Sequence, residues 1–275
     1  MVAQQSTFSR IAWPVLAWVV ALIFFFPIFW MVLTSFKTDA DAVKPENLLF
    51  FKPTLQNYLN MTENYDYWRF ASNSVITSVF ATIFTLLVSI PAAYAMAFNP
   101  SRNTKDVLMW MLSTKMLPAA AVLYPMTFLT KSLGLFDTHF AVIMVLSLIN
   151  MPIVVWMLFT YFKEIPKDII EAGKMDGVNT WGEIREILIP LAWGGIISTA
   201  LLCFIFCWNE AYWTVRLTTT DAATLSKLIE GNRAPEGLFF GRLSAVSTAA
   251  VGPIVILGWF SQKQLVQGLT FGAVK

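Results

Sequence analysis

Residues 163–190 read KEIPKDIIEAGKMDGVNTWGEIREILIP, a charged segment that separates two apolar runs. Pro166 suits the first position of a helix, because the N–H that proline lacks would be unpaired there. Gly177 is placed to adopt the left-handed conformation that ends such a helix. Thr180 and Glu183 then fit a T-x-x-E capping box, which starts another helix. The segment is therefore predicted to fold as helix, glycine turn, helix at a membrane surface.

The first of these two helices is amphipathic. Ile165, Ile169 and Ala172 fall on one stripe, and Gly173 and Met175 lie at its margin. The small residues on this stripe would let another element approach the backbone closely. Periodicity alone leaves two interpretations open: a helix that lies on lipid headgroups, or a helix that docks on a partner.

Outside this segment, the charged residues divide the chain into long apolar runs. Five runs of at least 20 residues contain no Asp, Glu, Lys or Arg, and a sixth contains only Lys115. About 20 apolar residues cross the hydrocarbon core as a helix. The predicted spans are residues 11–34, 72–97, 107–130, 140–161, 190–212 and 243–262. Because unpaired backbone groups are not tolerated in lipid, we predict an all-α membrane protein with six transmembrane helices.

The composition excludes several classes of protein. Hydrophobic residues make up 57% of the 275 residues and charged residues only 13%, whereas soluble domains carry about 25% charged residues. A net charge of +2 argues against a nucleic-acid surface. Cys203 and Cys207 lie one helical turn apart without a nearby ligand partner, and His139 is the single histidine. We predict no catalytic residues and no metal site.

The orientation in the membrane does not follow from the basic residues. With the N-terminus inside, nine Lys and Arg residues fall on each side of the predicted spans. The positive-inside rule compares these two numbers, so it gives no preference here.

Charged side chains within spans are costly and therefore suggest function. Lys115 lies about one third into the third predicted span, and Glu210 lies near the outer end of the fifth. For Lys115 the alternatives are snorkelling or a structural partner, and for Glu210 an interfacial position, against a role in a solute pathway. A polyhydroxylated solute needs polar groups and aromatic faces. The candidate pathway residues are Lys115, Asn150, Trp208, Asn209, Glu210 and Trp213.

The segment 163–190 resembles the "EAA" loop of ABC importer permeases, which follows E-A-A-x-x-x-G-x9-I-x-L-P. The matching residues are Glu171, Ala172, Gly173, Gly177, Ile187, Ile189 and Pro190, with the spacing preserved throughout. Gly173 replaces an alanine and Ile189 a leucine, and both substitutions keep small or apolar character. We call residues 163–190 the coupling loop, because in the family this loop is cytoplasmic and docks on the ATP-binding subunit.

Other stretches of the chain resemble sugar-importer permeases related to the maltose system. They are FPIFWMVLTSFKT (26–38), FKPTLQNY (51–58), WNEAYW (208–213) and GLTFGAVK (268–275). Two more stretches, STKMLPAAAVLYPM (113–126) and GRLSAVSTAA (241–250), resemble the mannitol and sorbitol permeases. The resemblance thus covers nearly the whole chain and favours a carbohydrate, a sugar alcohol or a sugar, as the solute.

The resemblance implies a type I ABC importer transmembrane fold in the bacterial cytoplasmic membrane, with both termini cytoplasmic. It implies residues 1–69 as an N-terminal anchor span and external loop, 70–262 as the transmembrane core, and 263–275 as a cytoplasmic tail. The expected coupling residues are Ile169, Glu171, Ala172, Gly173, Asp176 and Gly177.

The resemblance also implies partners: a second permease subunit in a heterodimer, two ATP-binding subunits and an extracytoplasmic solute-binding protein. The chain lacks a G-x-x-x-x-G-K-[ST] phosphate loop, so ATP and Mg²⁺ are expected on the partner subunits and no cofactor on this chain. It is not expected to be an enzyme. The alternative is a secondary transporter or channel subunit driven by an ion gradient, which would need intramembrane carboxylates for ion coupling.

Overall fold

The computed structural model describes residues 7–233 and 239–262, with side chains described from residue 12 onward. The predicted tail 263–275, which contains the GLTFGAVK stretch, lies outside the described residues. Within the described ranges all regular elements are helical. The α-helices are α1 (Thr7–Ser35), α2 (Asp39–Ala42), α3 (Gln56–Asn64), α4 (Tyr67–Phe98), α5 (Thr104–Thr114), α6 (Ala119–Ser132), α7 (His139–Lys163), α8 (Lys167–Met175), α9 (Thr180–Gly182), α10 (Ile189–Leu191), α11 (Trp193–Trp208), α12 (Tyr212–Leu217), α13 (Leu225–Gly231) and α14 (Phe240–Phe260).

Four described helices are long and apolar enough to cross a membrane, namely α1 from Ala12 onward, α4, α7 and α14. Two bent pairs of helices also pass the same test, which gives up to six spans among the described residues. The first pair is α5 with α6, bent by 88°, and the second is Thr180–Leu191 with α11, bent by 86°. The all-helical membrane fold is therefore as predicted.

The prediction of continuous helices for the third and fifth spans was wrong. The third predicted span, 107–130, contains the break between α5 and α6. Pro118 occupies the N-cap of α6, where its missing N–H does no harm, whereas inside a continuous helix it would remove a hydrogen bond. In the fifth predicted span, 190–212, helix α11 covers only Trp193–Trp208, because the chain bends sharply at Ala192 just before it.

Contacts between residues divide the chain into two units. The first unit contains residues 1–67 and 231–252, and the second contains residues 68–230 and 253–275. The predicted domain limits after residues 69 and 262 stay a prediction.

In the first unit, Lys37 anchors the chain that leaves α1. Its side chain is almost fully buried; Nζ donates a hydrogen bond to the Leu48 carbonyl at 2.7 Å and lies 5.0 and 4.8 Å from the ring centres of Trp30 and Phe51. Burial lowers the pKa of Lys37, although the charge of Asp41 works in the opposite direction. The ammonium thus stays buried on one carbonyl and two aromatic faces, an environment that stabilises a cation.

The start of α14 is fastened to the same part of the first unit. Asn57 donates hydrogen bonds to the carbonyls of Ser35 and Lys37 at 2.9 and 2.7 Å. The backbone N–H of Arg242 donates to Asp39 at 3.2 Å, and its guanidinium donates to the Tyr65 hydroxyl at 2.6 Å. These bonds hold α14 against the segment that follows α1.

In the most apolar stretch of α1 no residue is buried. Trp13, Trp18 and Phe24 are each more than 60% exposed. A helix that is apolar all round and leaves this much aromatic surface exposed is suited to a lipid environment.

The core of the second unit lies among α4, α7, α8 and α11. Its buried residues include Ala81, Tyr94, Val142, Leu146, Leu158, Phe162, Ile170, Leu188, Ile196 and Cys203. Gly195 of α11 faces Tyr161 of α7, and a Cβ there would come within 2.6 Å of the tyrosine ring. The two helices therefore pack closely at this glycine. Since Ile170 belongs to the coupling loop, the loop shares one core with the spans.

Asp137, which precedes α7, fastens the loop that follows α12. Its carboxylate accepts hydrogen bonds from the backbone N–H groups of Thr219, Thr220 and Asp221 at 3.0, 2.9 and 3.1 Å. Burial works to raise the pKa of this carboxyl, but the hydrogen bonds from these residues outweigh it and hold the pKa well below its usual range. The ionised carboxylate thus joins the residue that precedes α7 to the loop that follows α12.

Candidate functional site

Lys115 lies at the break between α5 and α6. Its ammonium donates a hydrogen bond to the Asn150 side-chain oxygen at 3.3 Å and lies 6.0 Å from the centre of the Phe206 ring. Asn150 is buried, and its amide nitrogen donates to the Leu146 carbonyl and to the Cys207 sulfur at 2.9 and 3.3 Å. These bonds fix the amide so that its oxygen points toward Lys115.

Glu210 lies at a second break, between α11 and α12. Its carboxylate accepts a hydrogen bond from the backbone N–H of Trp213 at 3.1 Å, and its backbone carbonyl accepts one from the Thr214 hydroxyl at 2.7 Å. The carboxylate therefore holds the first turn of α12 and keeps the Trp213 backbone beside it. Both charges predicted within spans thus lie where a helix is interrupted.

One cavity of about 360 Å³ brings these residues together. Its lining comprises Thr114, Lys115, Leu117, Ala119, Val122, Met126, Val145, Leu148, Ile149, Glu210 and Trp213. Non-helical backbone at membrane depth is tolerated where it lines a cavity or is buried in protein. Transporters place solute sites at such discontinuous helices. The cavity therefore combines a cationic donor, an anionic acceptor and an aromatic side chain on mostly apolar walls.

Three of the predicted pathway residues, Asn150, Trp208 and Asn209, do not line this cavity, although Asn150 accepts a hydrogen bond from Lys115, which does. Asn209 is exposed, and its side chain donates to the Ile205 carbonyl within α11 at 3.0 Å. Trp208 packs on Phe204 with 5.8 Å between the ring centres. Sequence analysis grouped Trp208 and Asn209 with Glu210 because they are its neighbours, but a helix end turns consecutive residues in different directions.

The coupling loop begins with α8 and turns at Gly177. Gly177 has φ of +80°, so the predicted left-handed conformation is confirmed. The Asp176 and Gly177 N–H groups bond to the carbonyls of Ala172 and Lys174, and the Val178 N–H bonds to the Gly173 carbonyl at 3.0 Å. This closure is the usual one for a glycine-terminated helix.

The predicted capping box at Thr180 and Glu183 was wrong. Asn179 caps the next helix instead, since its side-chain oxygen accepts a hydrogen bond from the Gly182 N–H at 2.8 Å. Glu183 turns inward, is 2% exposed, and accepts a hydrogen bond from the hydroxyl of Tyr94 on α4. Residues Glu183–Leu188 form a π-helical segment, a local widening that often marks functional sites.

The buried face of α8 is not the predicted stripe. Ile170 is 2% exposed and belongs to the core, and Gly173 lies under Ile187, whose Cδ1 atom would be 2.5 Å from an added Cβ. Ile169 is instead 40% exposed and Met175 88% exposed. The stripe was expected to meet lipid headgroups or a partner, which stays a prediction, and Ile170 beside it supplies the inward face.

The outward face of α8 carries most of the predicted coupling residues. Glu171, Ala172, Asp176 and Gly177 are exposed, as is Ile169, whereas Gly173 is buried. Exposed apolar side chains rimmed by polar residues mark surfaces that contact another protein or a membrane. Trp181, 71% exposed on α9, extends this surface.

Comparison with known families matches residues 89–270 to the family described as "Binding-protein-dependent transport system inner membrane component". A probable ABC transporter permease protein, y4oR of Sinorhizobium fredii, is 30% identical over 98% of both chains. The trehalose transport system permease protein SugB of Mycobacterium tuberculosis is 28% identical over 100% of both chains. The trehalose/maltose transport system permease protein MalG of Thermococcus litoralis is 30% identical over 99% of both chains. These relatives are transport permeases.

The fold has a counterpart among solved structures. A chain of a bacterial ABC transporter involved in the import of the acidic polysaccharide alginate matches with a TM-score of 0.77. The match covers 96% of this chain and 99% of that chain at 22% identity. At this identity the likeness concerns the fold, which is that of a type I ABC importer permease.

Proposed function

The chain belongs to the family of binding-protein-dependent transport system inner membrane components, and on that premise we propose that it is a permease subunit of an ATP-driven carbohydrate importer. It is a multi-pass inner membrane protein and forms half of a translocation pathway. The second half is another permease subunit, and an extracytoplasmic binding protein delivers the solute. Two ATP-binding subunits hold ATP and Mg²⁺ and supply the energy.

The outward face of α8 carries this proposal. This face is exposed and carries both apolar and acidic side chains, and Ile170 on the opposite face of α8 packs into the core that the spans share. Docking of an ATP-binding subunit on this face transmits its closure to the spans. The coupling loop then lies in the cytoplasm, and the chain termini lie on the same side of the membrane as the loop.

Reversing the charge of Glu171 tests the docking surface. Glu171→Lys is expected to lower both uptake and co-purification of the ATP-binding subunit about tenfold. A mismatched charge at an interface costs up to several kcal/mol, and about 1.4 kcal/mol already corresponds to a factor of ten. Uptake into vesicles and the amount of co-purified subunit are the measurements.

The matched control is Glu63→Lys, which reverses an exposed carboxylate on α3 rather than on α8. This variant is expected to retain uptake and association. Full uptake and full association in Glu171→Lys would show that α8 does not couple the chain to an ATPase.

We further propose that the cavity at Lys115 and Glu210 lines the solute pathway. The ammonium donates to hydroxyl oxygens, the carboxylate accepts from hydroxyl hydrogens, and the Trp213 ring packs against the apolar face of a sugar ring. Lys115→Met is expected to weaken uptake about tenfold, since a lost hydrogen bond to a charged group costs roughly 1.5–3 kcal/mol. Lys131→Met at the end of α6 is the control, and equal uptake in the two variants would remove Lys115 from the pathway.

The solute proposed is a sugar or a sugar alcohol. The two relatives named as trehalose and trehalose/maltose permeases support a carbohydrate, and the sugar-alcohol branch rests on residues 113–126 and 241–250. The test is ATP hydrolysis by the co-purified transporter with its binding protein and a panel of sugars and polyols. Stimulation by one solute identifies it. Uptake abolished by an uncoupler while ATP stays high would instead indicate an ion-driven transporter.

A further inference from the structure

A second cavity of about 430 Å³ lies within the second unit, where α4 and α7 end and α5 and α8 begin. It is separate from the Lys115 cavity and shares no lining residue with it. The residues that line it are Met96, Ala97, Pro100, Ser101, Arg102, Thr104, Lys105, Leu108, Met109, Trp156, Phe159, Lys163 and Lys167. The proposed transport cycle assigns no ligand to this cavity, although Lys163 and Lys167 belong to the coupling loop.

Four of the lining residues are basic, and none is acidic. Arg102, Lys105, Lys163 and Lys167 are all exposed. Within the described part of the chain none of them takes part in a salt bridge, and Lys163 lies 5.3 Å from the centre of the Phe159 ring. The nearest acidic residues in the sequence do not line the cavity. The lining therefore carries four basic side chains and no acidic one, which favours an anion, although Asp106, Glu164 and Asp168 stand next to three of the four in the sequence.

The remaining wall is apolar and aromatic. Leu108 is buried beneath the cavity, and Met109, Trp156 and Phe159 contribute side chains to its lining. A soluble anion such as free phosphate would gain nothing from this wall. A ligand with an anionic head and a hydrocarbon tail matches both halves of the cavity, because the tail removes the apolar wall from water.

The position of the cavity fits the membrane surface. The spans α4 and α7 end at Phe98 and Lys163, beside the cavity. The first residues of α5, Thr104 and Lys105, are part of the lining, and the N-terminus of a helix adds partial positive charge for a phosphate group. Basic pockets between transmembrane helices at this level bind anionic lipid headgroups.

We infer that this cavity binds one anionic phospholipid from the leaflet on the side of the coupling loop. The phosphate lies among the four basic side chains, and an acyl chain lies along Met109, Trp156 and Phe159. Naming that leaflet as the cytoplasmic one rests on the proposed function. The bound lipid would bridge the α4–α5 connection and the start of α8, and so support the position of the coupling loop.

The test measures lipid binding to the full chain, purified in detergent with the subunits that it retains. Native mass spectrometry follows titration with phosphatidylglycerol and, separately, with phosphatidylcholine. The double variant Arg102→Gln with Lys105→Gln is expected to bind phosphatidylglycerol about thirtyfold more weakly, because each basic residue near an anionic headgroup contributes to its attraction. Binding of phosphatidylcholine, which has no net charge, is expected to be weak and unchanged.

A second double variant, Lys163→Gln with Lys167→Gln, removes the other two charges and is expected to have the same effect. The control is Lys44→Gln with Lys52→Gln, which removes two exposed lysines between α2 and α3. Equal phosphatidylglycerol binding in the first two variants and the control would overturn the assignment. So would displacement of the lipid by glycerol 3-phosphate at equal concentration, which would indicate a site for a soluble phosphate.

This measurement needs neither transport nor ATP hydrolysis. A chain that bound phosphatidylglycerol through these residues but imported no carbohydrate would keep the lipid site and lose the proposed function. A chain that imported carbohydrate but bound both lipids equally would keep the proposed function and lose the lipid site.

Discussion

Replacing Tyr94 with phenylalanine is expected to lower ATP-driven uptake about a hundredfold while ATP hydrolysis by the assembled transporter continues. The Tyr94 hydroxyl on α4 donates a hydrogen bond to the Glu183 carboxylate in the coupling loop, and both residues are 2% exposed. Without the hydroxyl, a buried carboxylate loses this donor, which costs about 1–3 kcal/mol or more for a charged group. The coupling loop is then no longer held against the core at this point, so that a movement of α8 is not transmitted to α4.

The measurements are uptake into vesicles and ATP hydrolysis in the same preparation. A defect in folding alone would lower both in proportion, whereas a defect in coupling lowers uptake per ATP hydrolysed. Glu183→Gln keeps an oxygen that accepts the hydrogen bond from Tyr94 and is expected to retain most of the uptake. Tyr124→Phe removes a hydroxyl from a residue that is 80% exposed and serves as the control. Unchanged uptake per ATP in Tyr94→Phe would contradict a role for this bond in coupling.

The second large effect is expected for Gly241→Ala at the start of α14. A Cβ at this position would lie 2.5 Å from the Lys37 carbonyl oxygen, 3.0 Å from Asn57 Nδ2 and 3.1 Å from Asp39 Oδ1. The carbonyl is backbone and accepts the hydrogen bond from Asn57, so it cannot swing aside as the end of a side chain would. Overpacking of this kind costs about 1–3 kcal/mol, which we expect to lower the unfolding midpoint by roughly 2–10 °C.

Gly194→Ala is the matched control, because Gly194 is the second residue of α11 as Gly241 is of α14, and an added Cβ meets nothing within 4 Å. It is expected to leave the midpoint unchanged or to raise it slightly, since alanine is favoured over glycine in a helix by about 1 kcal/mol. Thermal unfolding of the purified chain in detergent measures both variants. If the two midpoints agreed, the close approach of α14 to Lys37 would be refuted.

The coupling loop shows how far local pattern reaches. The glycine turn at Gly177 was predicted correctly, because a left-handed residue at the end of a helix depends on a few neighbouring residues. The capping residue was missed by one position. Asn179 and Thr180 both suit an N-cap, and the inward turn of Glu183 toward Tyr94 decided between them. A buried partner 89 residues away leaves no trace in local spacing.

The helix breaks illustrate the same limit on a larger scale. A run without charges shows that a segment can enter the membrane, but it does not show that the segment is one helix. Lys115 followed by Pro118 was the available signal for the break in the third span, since both disfavour a continuous lipid-facing helix. Neither residue predicts the 88° angle between α5 and α6, which depends on the packing of α6 against α7 and α12.

The sequence by itself determined the membrane class, the apolar runs and the helix–glycine–helix form of the coupling loop. These properties follow from composition and from spacing over one or two helical turns, where each residue acts through its own chemistry. The tertiary structure alone decided that Ile170 and Gly173 face inward, that Tyr94 meets Glu183, and that Lys115 and Glu210 line one cavity. Such pairings arise when distant segments compete for the same buried space, and no single segment carries that information.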